Sequence, residues 1–219
     1  GISLFTEGTE VEEAVNVVRE VCGTEGECFT GNTQVITGID PVSGQYITAD
    51  IDTLHVGDIV LTKSELDPDA PLQERQITNV SVHHVESVVD LQIQSADGST
   101  QTIQTTDVHP FYVSGIGWVD AGNLQPGATL LLPDDTTATL VSSAHEEHPE
   151  GIAVYNLTVD GGHTYFVAGS GDEIDPIWVH NAEGCALIWN SDGSVIFRGK
   201  VVQVVEDLTH LSEEKLGSV

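Results

Sequence analysis

The sequence predicts an all-β domain with a short helix in front of it and an appendage behind. Three observations carry this. From Cys28 to about Asn181 apolar residues recur in short alternating runs separated by turn residues. With 22 Gly, 8 Pro, abundant Thr and Val and only 19% charged residues, the composition favours strands and turns over long helices. The run Val88–Ile93 leading to His109–Val113 is echoed by Val154–Val159 leading to His163–Val167, which implies a duplicated β-unit with a pseudo-two-fold axis near His109 and His163.

The first element is a helix. Residues 9–22 place Val11, Ala14, Val15, Val18 and Val21 or Cys22 on one face at helical spacing, with Thr9 and Glu12 as a capping box and Gly23 as the stop. Strands are then expected at QVITGI and QYITADI around a PVSG turn, in HVGDIVLT, in VSVHHVESVVDLQIQS, and in TQTIQTT after the Asp97-Gly98 turn, a strong hairpin signal. Further strands are expected at HPFYVSGIGWV, ATLLLP, ATLVSS, IAVYNLTV, HTYFVAG and PIWVHN. Beyond Asn181, ALIW and SVIFRGKVVQVV flank an Asn-Ser-Asp-Gly-Ser turn and are expected to pair, with a short helix after them; the tail is too small to own a core. The expected divisions are a flank at 1–27, the β-domain at 28–181 and a second flank at 182–219, the whole reading as part of a larger protein.

Charge and cysteine content narrow the function. Thirty-five acidic residues against 6 basic ones give a net charge of −29, which argues against binding to phosphate backbones or anionic lipid. No stretch is apolar for long enough to span a membrane as a helix. The partners expected are the chain's own flanks, with no nucleic acid, no membrane and a monomeric state. Cys22, Cys28 and Cys185 form no even framework and lack ligand spacing, so a free thiol is expected. His83, His84 and Glu86, the run from His145 to His148, Asp134 with Asp135, and Asp172, Glu173 and Asp175 are read as solvated polar residues; neither a metal nor a cofactor is expected.

The candidate chemistry lies in Cys28, at the start of the β-domain, in Thr106 and His109 three residues apart, and in His180-Asn181 at its end. A thiol can attack the carbonyl of the residue before it, here Glu27, turning an amide into a thioester while a histidine protonates the leaving nitrogen. An asparagine amide can attack its own main-chain carbonyl, closing a succinimide and releasing the downstream segment.

Taken in order, CFTGNTQV, HVGDIVLT, TTDVHPFYV, GWVDAGNLQPGATLLL, VYNLTVDGGHTYFV and WVHNA resemble the blocks of the Hint superfamily of inteins, bacterial intein-like domains and Hedgehog autoprocessing domains, and most nearly its pretoxin type. The resemblance implies a pseudo-symmetric β-horseshoe that processes itself. It matches Cys28 to the first-residue nucleophile, Thr106 and His109 to the pair that holds and activates the amide, and His163 to the proton acceptor for cyclisation. Asn156 falls where Asp is often found, and His180 and Asn181 match the terminal pair. The implied scissile junctions are Glu27–Cys28 and Asn181–Ala182. Ala182 stands where splicing needs Cys, Ser or Thr, so cleavage is expected in place of ligation. The alternative is a catalytically silent Hint-like linker or interaction domain of a larger secreted or surface protein. No candidate is a carboxylate, so the charge is assigned to the surface, as an adaptation to a saline milieu.

Overall fold

The computed structural model describes residues 26–169 and 175–181, together with the backbone of 187–189, 195–197 and 200–202. The expected helix at 9–22, Cys22, Ala182, Cys185 and the helix expected in the tail lie outside the described residues. Within them the chain is β-structure, as its alternation predicts. Twelve strands form one sheet: β1 (Phe29–Thr30), β2 (Gln34–Ile39), β3 (Tyr46–Asp50), β4 (Ile59–Thr62), β5 (Gln73–Gln94), β6 (Thr100–Thr105), β7 (Pro110–Val113), β8 (Gly117–Asp120), β9 (Thr129–Leu131), β10 (Thr137–Val159), β11 (Thr164–Ala168) and β12 (Ile177–His180). Three short strands, β13 (Leu187–Trp189), β14 (Val195–Phe197) and β15 (Lys200–Val202), pair antiparallel with one another, one more than the hairpin expected there.

The two longest strands differ most from their sequence patterns. β5 starts seven residues before the run that signals it, and β10 joins ATLVSS and IAVYNLTV across Ala-His-Glu-Glu-His-Pro-Glu-Gly. They pair antiparallel from Ile77–Val159 to Gln94–Thr139, with a register shift between Glu147 and Ile152. Pro149 and Gly151 fall inside that shift, where no ladder N–H is required of the proline and Gly151 can take φ +80°. Polar residues that read as a loop are therefore the exposed middle of a strand pair.

The duplication is real and longer than the sequence echo. After β3 and again after β8 the chain makes a single 3-10 turn, Ile51–Thr53 and Ala121–Asn123. Each turn leads to a left-handed glycine, Gly57 (φ +98°) or Gly127 (φ +93°), whose N–H bonds the long strand of its own half, at Ile77 O or Leu140 O. Thr33 O and His109 O accept equivalent bonds from Ile51 N and Ala121 N, so β7 is the counterpart of β2. The echo instead aligned His109–Val113 with His163–Val167, which is β11. That half of it reflects the similar aromatic patterns of two strands flanking β12, since Val179 pairs with both Phe111 and Tyr165. The halves also share a close approach of glycine to aspartate: a Cβ on Gly31 would approach Asp52 Oδ2 to 2.8 Å, and one on Gly122 would approach Asp107 Oδ1 to 2.8 Å. Residues of both halves, among them Phe29, Ile77, Leu91, Phe111, Leu140 and Tyr165, fill one continuous core.

Candidate functional site

Cys28 enters the sheet just before β1, beside β10 and β6. Its main chain is held on both sides. The Cys28 N–H donates to Thr106 Oγ1 at 3.0 Å, and that hydroxyl donates to Gly26 O at 3.1 Å, so one threonine straddles the Glu27–Cys28 peptide. The Cys28 carbonyl accepts from Thr105 Oγ1 at 2.9 Å and Thr106 N at 3.0 Å. The thiol is fully buried among Val85, Val88, Ile152 and Val154. Burial, reinforced by the Glu27 carboxylate, pushes it up to about 12, so it is neutral across the physiological range.

His109 ends the turn that begins at Thr106, with its N–H on Thr106 O at 3.2 Å. Its ring is fully buried, 4.0 Å from the Phe29 ring between centroids, and among the described residues neither ring nitrogen has a hydrogen-bond partner of good geometry. Burial holds its pKa well below the usual histidine value; charge at His180 adds to this, and the nearby His180 backbone opposes it. The imidazole thus lies between the residue after Cys28 and the end of β12.

At that end, the Asn181 N–H donates to His163 O at 2.8 Å, and Asn181 Nδ2 donates to Leu157 O at 2.5 Å, which fixes the plane of the side-chain amide. Asn181 is fully buried and its Oδ1 has no hydrogen-bond partner among the described residues. His163 behaves differently from expectation: it sits at φ +49° after Gly161-Gly162, and it is the backbone carbonyl that meets Asn181 while the imidazole is exposed. Asn156 is buried, and its Oδ1 accepts from Leu157 N at 2.9 Å and from the Tyr165 hydroxyl at 3.2 Å. Cys28, Thr106, His109, His180 and Asn181 are therefore gathered at one place, His163 joins them through its main chain, and Asn156 stands behind Tyr165.

Three neighbours escaped the sequence reading. Tyr165, buried beside Cys28 and Glu27, is held well above the usual phenol value by burial first and their charges second. His83 faces Gly26: a Cβ there would lie 3.5 Å from Cys28 Sγ and 3.7 Å from His83 Nε2. Glu65, in the connection from β4 to β5, hydrogen-bonds His180 Nε2. The alternation around Tyr165 marks it as core and nothing more, and no local pattern ties His83 or Glu65 to residues so distant in sequence. Among the described residues no three His, Cys, Asp or Glu side chains gather as metal ligands; Asp135 instead takes the buried Lys63 ammonium, and His145 bonds Asp107 at 2.8 Å.

A model of the pretoxin HINT domain family matches residues 40–182. The chain belongs to that family. The fold agrees: the HINT domain is similar to a bacterial intein-like domain from Clostridium thermocellum solved in solution, 27% identical, with a TM-score of 0.59 over 72% of this chain and 100% of that one. It shares its fold with the gp41-1 intein, at 21% identity and a TM-score of 0.50 over 72% of this chain and 100% of the other. The same holds for a DnaB intein from Synechocystis sp. PCC 6803, at 18% identity and a TM-score of 0.50 over 71% and 99%. No curated protein matches the chain. Membership places this HINT domain among intein-like folds, whose general capability is autoprocessing in cis on flanking segments.

Proposed function

We propose that this chain is a single-turnover self-processing domain, residues 28–181, that breaks its own peptide bonds at Glu27–Cys28 and Asn181–Ala182 and so separates the flanks 1–27 and 182–219. The observation that carries the reading is the burial of one imidazole, His109, between the residue following Cys28 and the backbone of His180. A group in that position serves both ends of the domain. At the first junction, Cys28 Sγ attacks the Glu27 carbonyl carbon and gives its proton to neutral His109, which passes it to the Cys28 nitrogen as the C–N bond breaks, with Thr106 holding the amide. At the second, Asn181 Nδ2 attacks the Asn181 carbonyl carbon and expels the Ala182 nitrogen, which takes up the proton that Nδ2 sheds. Ala182 carries no nucleophile to receive an acyl group, so the outcome is cleavage without ligation.

The first step is tested by adding dithiothreitol to the intact chain and following its mass. A fragment ending at Glu27 is expected from the wild type and none from Cys28→Ala; cleavage that survives Cys28→Ala would overturn the assignment. A second reading, a silent linker or interaction domain, is favoured by the burial of the Cys28 thiol; it requires the mass to stay constant with and without thiol.

A further inference from the structure

We propose that Glu65 is a positioning residue for the Asn181 junction: its carboxylate takes the Nε2–H of His180, fixes the ring's orientation and tautomer, and so presents Nδ1 as the lone-pair nitrogen that relays a proton at that junction. The inference rests on the reading of Asn181–Ala182 as a scissile bond.

The pair stands apart from the other histidine–carboxylate pairs of the described residues. His55–Asp58 is 82% and 47% exposed, His145–Asp107 54% and 51%, and His148–Glu146 25% and 46%, whereas His180–Glu65 is 8% and 17% exposed. On a chain of charge −29 acids lie near several histidines, and exposed pairs of this kind contribute little. A carboxylate brought inside to meet one imidazole is a different arrangement, because a hydrogen bond to an ionised acceptor in a dry setting fixes ring orientation and tautomer. Trp118 braces both partners: its ring lies edge-on to the His180 imidazole, 5.1 Å between centroids, and its Nε1–H donates to Glu65 O at 3.4 Å. Lys63 anchors the same connection through Pro68 O at 3.0 Å and the Asp135 carboxylate.

The chemistry needs no co-reactant. Held by Glu65 at Nε2, the neutral His180 ring accepts at Nδ1 the proton that Asn181 Nδ2 sheds as the succinimide closes, and passes it to the Ala182 nitrogen as the C–N bond breaks. Among the described residues, Glu65 from the β4–β5 connection and His109 from the turn before β7 are titratable groups that face His180. Charge on His180 disfavours charge on His109.

The test uses the full chain with Glu65→Gln, Glu65→Asp and Leu66→Ala, the last an exposed residue of the same connection. Release at Asn181–Ala182, thiol cleavage before Cys28, and the His180 tautomer read by nitrogen NMR are measured together. Glu65→Gln is expected to slow release by about 10- to 100-fold, with Glu65→Asp recovering part of the loss, Leu66→Ala matching wild type, thiol cleavage unchanged and the His180 tautomer no longer held as Nε2–H alone. Wild-type release and tautomer in Glu65→Gln would overturn the proposal, as would equal slowing at both junctions. If the wild type releases nothing, the self-processing reading fails, and the His180 tautomer alone then decides whether Glu65 positions the ring: a mixed tautomer in Glu65→Gln upholds it and an unchanged Nε2–H form overturns it.

Discussion

Cys28 and His180 come from opposite ends of the domain's sequence, meet at one site, and sit in different environments. The cysteine is packed dry against Val85, Val88, Ile152 and Val154, its thiol pushed up to about 12, with a carboxylate beside it that opposes ionisation. The histidine is hydrogen-bonded to a carboxylate and braced by Trp118, next to an asparagine whose amide nitrogen is already fixed. A nucleophile in the first setting must be loosened or deprotonated before it reacts, whereas the second is arranged for proton transfer as it stands. The Asn181 junction should consequently react without waiting for the Cys28 junction, which would make this domain a device for releasing its downstream segment.

The comparison breaks most sharply at Asn181. Asn181→Ala is expected to abolish release downstream, read by mass, with the thiol-induced fragment as the internal measure that the domain is folded; persistence of release would move the scissile bond elsewhere. His109→Ala comes next, with thiol-induced cleavage expected to fall by about 10²- to 10⁴-fold, the range for loss of a positioned acid. The same residue sets an acid limit on stability. Its folded pKa is depressed, so its stabilising contribution is present above the ordinary value of 6.5 and is lost as pH falls through the folded value. Denaturant midpoints of wild type should drop with acid more steeply than those of His109→Leu, and parallel curves would contradict this.

Thr106→Val should act at one end only. It leaves the Cys28 N–H buried without its acceptor, a loss of about 1–3 kcal/mol, and should slow thiol cleavage while Asn181 release persists. The smallest effect is alkaline. The Cys28 and Tyr165 pKa values are raised on folding, so their contribution is complete below the ordinary thiol value of 9.0 and is lost as pH rises towards the folded values. Cys28→Ala should flatten the fall in stability between about pH 9 and 12, and an unchanged slope would show that the thiol is not buried in solution.

Much of this was legible in the sequence because it is local. Alternation marked nearly every strand and Asp97-Gly98 marked its hairpin, whereas the turn that closes His109 N–H on Thr106 O appears only in the structure. The single β10 strand was hidden because Pro149 and Gly151 read as a loop, and only pairing with β5 makes them a bulge. That His163 would meet Asn181 through its backbone carbonyl was not legible, since a left-handed backbone at a histidine has no signature in residue type. Glu65 was invisible for a different reason: one acid among 35 acquires meaning only when folding carries it to His180. That contact also revises the assignment of every carboxylate to the surface.

The most direct measurement is the time course of the intact chain without added thiol. The fragment 182–219 should appear first, leaving a partner whose C-terminal Asn181 has closed to a succinimide, while cleavage before Cys28 waits for thiol. A mass that never changes, or a first cut at Glu27–Cys28 in the absence of thiol, would contradict the account.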